Sequence, residues 1–270
     1  MVVLPIFLFQ TFLSFIVGTI WLCSLIIIAR KFGSKKTGII AGIPSIVLIS
    51  ILFISITTNK ESAIQAIEIM PIAICGNYII LLTLIKLKNC SFNFSFYISL
   101  LLWLIFEGLI SVTNFTNFLI NILLSVTAFA ATFYIINKSD DEYIEKITQS
   151  QYSFKQVLNR SMIAGFIIAL SVFFGKIAGT VFGGIIASFP GVLISTLIIS
   201  NKIYGRNFSL SISKLLVFSA AINILSYIIL LALFYKIFNI WISTILALSF
   251  TLITSYFMLL YQNYKTKNNV

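Results

Sequence analysis

The chain contains no histidine, which removes the side chain that most often moves protons near neutral pH and the commonest protein ligand for metals. Its three cysteines, Cys23, Cys75 and Cys90, lie in or beside apolar runs and have neither zinc-site nor redox spacing. Charge is scarce as well: 9% of the 270 residues are charged and only 7 are acidic. With so few carboxylates, and with no G-x-S-x-G, H-E-x-x-H or phosphate-loop pattern, the sequence gives no expectation of an enzyme, a cofactor or a bound metal. Proline occurs at four positions, so each one marks a particular place in the backbone.

What is abundant is hydrocarbon. Apolar residues make up 60% of the chain, and its mean hydropathy of +1.09 lies far outside the range of soluble domains. Runs of about 20 apolar residues, enough to cross a ~30 Å hydrocarbon layer, recur nine times, at 3–29, 38–57, 62–86, 94–112, 117–136, 160–181, 184–200, 208–234 and 238–261. The expectation is an all-α polytopic transmembrane helix bundle with almost nothing left for a soluble domain. The first run has no basic flank and no small-residue cleavage pattern, so it reads as a retained helix rather than a signal peptide.

The net charge of +11 does not point to nucleic acid, because no basic patch with interleaved aromatics is present. Threaded through nine crossings, 15 of the 18 basic residues fall on one side; Lys60, Lys176 and Lys236 fall on the other. Basic loops stay cytoplasmic, which predicts a cell (inner) membrane protein with its N-terminus outside, its C-terminus inside and the lipid bilayer as its partner. The aromatics (26 Phe, 11 Tyr, and Trp21, Trp103 and Trp241) are scattered as interface and packing residues would be.

One segment occurs twice. Residues 38–50 read GIIAGIPSIVLIS and residues 184–196 read GIIASFPGVLIST, with Pro44 and Pro190 at an offset of 190 − 44 = 146. The same register pairs Arg30 with Lys176, Gly33 with Gly179, Lys60 with Arg206, Glu68 with Lys214 and Asn77 with Asn223. Recurring Gly, Pro, Asn and basic residues carry information that recurring Ile and Leu do not. The chain therefore divides into a first four-helix repeat (1–113), a linker helix and cytoplasmic loop (114–160), and a second four-helix repeat (161–270). A single linking helix makes the second copy enter from the opposite face, an inverted 4+1+4 arrangement of the kind found in secondary transporters. The hydrophilic stretch 138–160 holds four of the seven acidic residues and reads as a short amphipathic helix or a tether.

Residues 29–57, ARKFGSKKTGIIAGIPSIVLISILFISIT, resemble the core of small GlpM-like bacterial membrane proteins. Residues 183–206, GGIIASFPGVLISTLIISNKIYGR, are similar to the matching segment of larger uncharacterised multi-pass relatives. The resemblance rests on the duplicated G-x-x-A-x-x-P pattern and covers about a third of the chain. It departs at Ile43, where the second copy has Phe189. It implies architecture rather than a substrate.

Two groups of residues are candidates for a site. Gly38, Pro44, Gly183, Gly184 and Pro190 form a helix-break motif, in which Gly38 and the Gly183-Gly184 pair would open helices and each proline would break a ladder. Such a break either exposes amides to an anion, with Arg30 and Lys176 just upstream, or serves only close helix crossing. Glu68, Glu107 and Lys176 each lie about 7–9 Å below the outer surface. Charges at that depth pair or line a cavity, so they are expected to gather in an outward vestibule, where a carboxyl could couple proton movement to transport; the alternative is that Lys176 snorkels and each Glu finds a neighbouring hydroxyl or amide. Asn77 and Asn223 serve as helix glue or as ligands for a solute or ion.

These features point to a permease for an unidentified small solute or ion working by alternating access, with lipid handling or a non-transporting partner subunit as the rival readings. The threading itself is testable. Cysteines introduced at the two ends of the chain should react with a membrane-impermeant thiol reagent from opposite faces, and labelling of both ends from one face would rule out nine crossings.

Overall fold

The structure, a computed structural model, describes residues 3–41, 43–113, 117–138 and 153–268. The helices are α1 (Val3–Ala41), α2 (Ser45–Thr57), α3 (Lys60–Ala73), α4 (Cys75–Lys86), α5 (Phe92–Thr113), α6 (Phe118–Lys138), α7 (Phe154–Ile177), α8 (Thr180–Ala187), α9 (Gly191–Tyr204), α10 (Arg206–Ile237) and α11 (Ile240–Asn268). The described residues contain no strand. A bend at Ile74 joins α3 to α4, and a break at residues 188–190 joins α8 to α9, so among the described residues the eleven segments follow nine paths. Among the described residues, seven stretches are long and apolar enough to cross a membrane; α2 and the 221–237 part of α10 are shorter apolar helices.

The α3–α4 bend follows from Pro71, which lacks an N–H and crowds the carbonyl one turn back. Burial separates an inner from an outer set of helices. Ser45 through Ile54 of α2 are all buried, as is most of α3–α4, whereas α5, α6 and α11 expose Leu104, Leu109, Leu119, Leu123 and Phe257. A helix apolar on all sides suits the middle of a bundle, and exposed leucines suit lipid.

The sequence repeat is also a repeat of backbone geometry. Pro44 has φ −76° and ψ 58°, and Pro190 has φ −81° and ψ 50°. At both, the next amide donates back two residues, Ser45 to the Ile43 carbonyl and Gly191 to the Phe189 carbonyl, each at 2.8 Å. These are inverse γ-turns, which reverse the backbone in three residues while using one of its own polar pairs. The helices that follow start at Ser45 and Gly191, and the next pair starts at Lys60 and Arg206, all at the offset of 146 (191 − 45, 206 − 60).

Contacts between the copies run antiparallel. Phe7 stacks on Phe173 with ring centroids 5.9 Å apart, while Gly165 packs against Phe15 and Thr19, so rising numbers on α1 meet falling numbers on α7. The α3–α4 path crosses its counterpart α10 in the same sense, with Lys60 beside Lys236 and Arg206 beside Leu87 and Cys90. Equivalent helices that meet head to tail are what an inverted duplication produces, with the pseudo-two-fold axis passing between them.

Two local expectations change. Gly38 lies inside α1, which continues to Ala41, and Gly183 and Gly184 lie inside α8; none of them opens a helix. A glycine weakens a helix without breaking it, whereas proline removes a donor, so the interruptions fall at Pro44 and Pro190. In the second copy an additional break falls at Gly179, whose φ of 101° permits the turn between α7 and α8; its counterpart Gly33 is within α1. Residues 139–152, where an amphipathic helix or tether was expected, and the side chains of Arg30 and Lys214, lie outside the described residues.

The Gly183-Gly184 pair serves close packing. A Cβ on Gly184 would strike the Ala66 carbonyl of α3, and one on Gly183 would come 2.8 Å from the Cα of Gly175 on α7. Gly184→Val should therefore cost about 1–3 kcal/mol, read as a lower Tm of the purified protein. Gly108→Ala, where no heavy atom lies within 4 Å of the added methyl, should leave Tm unchanged or raise it; equal Tm for both variants would refute the packing role.

Candidate functional site

A cavity of about 710 Å³ opens at the end of the bundle where α2 turns into α3 and α7 into α8. Its wall includes Asn59, Ser62 and Gln65 near the start of α3, Ser111 of α5, Lys176 of α7 and Thr180 of α8. The sequence sets these groups in place by local means. The Asn59 side chain caps α3 by accepting from the Ser62 amide at 2.8 Å. The turn at Gly179 starts α8 at the cavity wall, and the Thr180 hydroxyl donates to Gln65 Oε1 at 3.2 Å. Lys176 is exposed, and among the described residues no carboxylate lines the cavity. The arrangement can hydrate and hold a small polar or anionic solute.

Of the three charged residues expected in a vestibule, only Lys176 lines it. Glu68 instead faces the end of α10, where its Oε1 is 3.7 Å from Lys236 Nζ. On a helix, residues three apart are displaced by about 60° around the axis, so Gln65 faces the cavity while Glu68 faces α10. Glu107 lies one helical turn below Ser111, about 6 Å deeper, and is 4% exposed. It occupies space left by a glycine of α4: a Cβ on Gly76 would lie 2.5 Å from Glu107 Oε1 and 2.7 Å from Trp103 Nε1. Neither carboxylate oxygen of Glu107 has a hydrogen-bond partner, nor does the Trp103 indole nitrogen. Cys75 and Tyr78 on α4 and Ser125 on α6 complete the surroundings, with the Ser125 hydroxyl beside both. The Trp103 ring meets Phe189, the residue before Pro190, edge-on with centroids 4.9 Å apart.

Asn77 and Asn223 are buried at 8% and 2% exposure, and the side-chain oxygen of each is unpartnered. They are equivalent across the axis, and neither lines the cavity.

Sequence reasoning identified Lys60 and Arg206 as equivalent residues and missed what they do. Lys60 Nζ donates to the Lys236 carbonyl at 3.3 Å, and Arg206 donates to the Cys90 carbonyl. The acceptors are themselves equivalent, since 236 − 90 = 146. Each basic residue thus caps the end of the other copy's helical path, where unsatisfied carbonyls carry partial negative charge. The two caps differ in strength. Arg206 also reaches the Leu87 carbonyl at 2.7 Å and Ser95 Oγ at 3.0 Å, while Lys60 adds a contact with the Tyr235 ring at 5.4 Å from its centroid.

Gly76→Ala should push Glu107 and Trp103 aside and cost about 1–3 kcal/mol, whereas in a Glu107→Ala background the same change should cost less. Denaturant unfolding of the four proteins of this cycle measures the difference, and strict additivity would show that Glu107 does not occupy the space over Gly76.

A family described as protein of unknown function, DUF3147, matches residues 11–116, a span that falls on the first of the two copies. No curated protein and no solved structure matches the chain.

Proposed function

We propose that this multi-pass membrane protein is a permease that moves a small polar solute or ion by alternating access, the two repeats rocking about the pseudo-two-fold axis. The observation that carries the reading is the unequal hydrogen bonding of two equivalent junctions, with a cavity beside the more weakly held one. Where Lys60 holds its cap with few bonds, the cavity opens; where Arg206 sits, the same junction is clamped by several hydrogen bonds. An inverted repeat reaches the opposite state when the halves exchange conformations. A polar wall with Phe182 as its one aromatic among the described residues favours a hydrated solute over a lipid chain.

The test works without the solute being identified beforehand. In a cysteine-free background, Ser62→Cys reports the cavity end and Asn201→Cys the Arg206 end. Weakening the clamp with Arg206→Ala should increase reagent access at Asn201→Cys several-fold and lower it at Ser62→Cys. Swelling of proteoliposomes in a panel of polyols, inorganic anions and monovalent cations should then show saturable flux for one class. Access that rises or falls together at both ends, with no solute moved, would refute the proposal.

A further inference from the structure

We propose that Glu107 is a proton-binding site, and that its charge state is relayed through Trp103 and Phe189 to the helix break at Pro190; this rests on the permease reading and names its coupling ion. The site is built from three elements around Gly76 and its α4 neighbours Cys75 and Tyr78. The missing side chain at Gly76 lets α5 lay Glu107 and Trp103 against α4, and α6 closes the cluster with Ser125. As placed, neither Glu107 oxygen has a hydrogen-bond partner, and among the described residues no cation stands near it on the helices packed against it, so a charged carboxylate here is strongly unfavourable. A bound proton removes that charge.

The surrounding groups leave Glu107 as the one carboxyl suited to this role among the described residues. On α4 the titratable neighbours are Cys75 and Tyr78, neither of them cationic. Neither α6 at Ser125 nor any residue of α8 offers a charge. On α3, Glu68 is engaged with Lys236. The cavity also comes near the site, because Ser111 of its wall stands one turn from Glu107 on the same face of α5.

The relay follows from hydrogen-bond chemistry. The Trp103 Nε1–H is an unpartnered donor beside Glu107 Oε1. An ionised carboxylate is a far stronger acceptor than a neutral one, so loss of the proton draws the indole toward Glu107 and off the edge of Phe189. Phe189 supplies the carbonyl that closes the γ-turn at Pro190. The charge of Glu107 thereby biases the interruption between α8 and α9.

Two measurements test the site, and neither requires a known solute. In a protein keeping Trp103 alone (Trp21→Phe, Trp241→Phe), fluorescence should change in a single step with pH, together with an infrared carboxyl band, and Glu107→Gln should abolish both. In the protein without Trp or Glu changes, dicyclohexylcarbodiimide, which reacts with protonated carboxyls in apolar sites, should modify Glu107 and do so less as pH rises; mass spectrometry locates the adduct. A step that survives Glu107→Gln, or labelling that is absent or independent of pH, would overturn the assignment. For the relay, pH should shift reagent access at Ser62→Cys and Asn201→Cys in opposite directions, and Phe189→Leu should abolish the shift; access that stays pH-dependent in Phe189→Leu would overturn the relay. A titrating Glu107 in a protein whose two ends never alternate in access would sink the permease reading and leave the proton site standing.

Discussion

No water reaches the hydrocarbon layer to satisfy an exposed amide or carbonyl, so every interruption of a helix there has to settle its own backbone hydrogen bonds. The rest of the architecture depends on how this is done. At Pro44 and Pro190 the γ-turn joins the carbonyl before the proline to the amide after it, and the proline carbonyl is reclaimed by Leu48 in one copy and by Ile194 in the other, at 2.8 and 2.9 Å. Proline itself has no amide to satisfy. A broken helix can thus be carried within the bundle at little cost, and the same solution appears in both copies.

The ends of the α4 and α10 paths meet the same constraint across the axis. Carbonyls there receive Arg206 and Lys60 from the other repeat. These bonds therefore do more than cap: they fix how the repeats sit against each other, because each can form only if the opposite helix ends at the right level. The α1–α7 crossing supplies the apolar counterpart, where Gly18 and Gly165 let the two backbones approach at its centre. One polar pair and one small-residue contact, each nearly self-complementary, define the axis.

Much of this was legible in the sequence, and the remainder was hidden for definite reasons. Nine apolar runs and the offset of 146 gave the helical paths, since proline and basic residues recur in register. Equivalence does not imply contact, however. Lys60 and Arg206 were matched, yet their acceptors are backbone carbonyls of Lys236 and Cys90, and a carbonyl has no sequence signature. Position along a helix was readable for Glu68 and Glu107, but facing direction was not, because it depends on which neighbour each face meets, Lys236 of α10 for Glu68 and Gly76 of α4 for Glu107. The break at Gly179 was equally unreadable, since Gly33 aligns with it and remains helical within α1.

Where the copies differ is as informative as where they agree. Two identical halves would give two conformations of equal energy, with neither end preferred. Here the capping residue is arginine in one copy and lysine in the other. A planar guanidinium offers five donors in a fixed fork, and in this structure it engages several acceptors at once; an ammonium is a point charge on a flexible stem. The Arg206 junction is accordingly held by more hydrogen bonds than the Lys60 junction. The Glu68–Lys236 pair adds to the Lys60 end an interaction that has no counterpart in kind, because the equivalent positions are Lys214 and Cys90. In a permease, such an imbalance sets a resting state with the cavity exposed on the face that carries Lys60, Lys176 and Lys236, and reaching the opposite state requires giving up the arginine's hydrogen bonds. A ligand or proton that favours the opposite state has to offset that loss, which makes the difference between Arg206 and Lys60 the term that determines how strongly movement depends on what is bound.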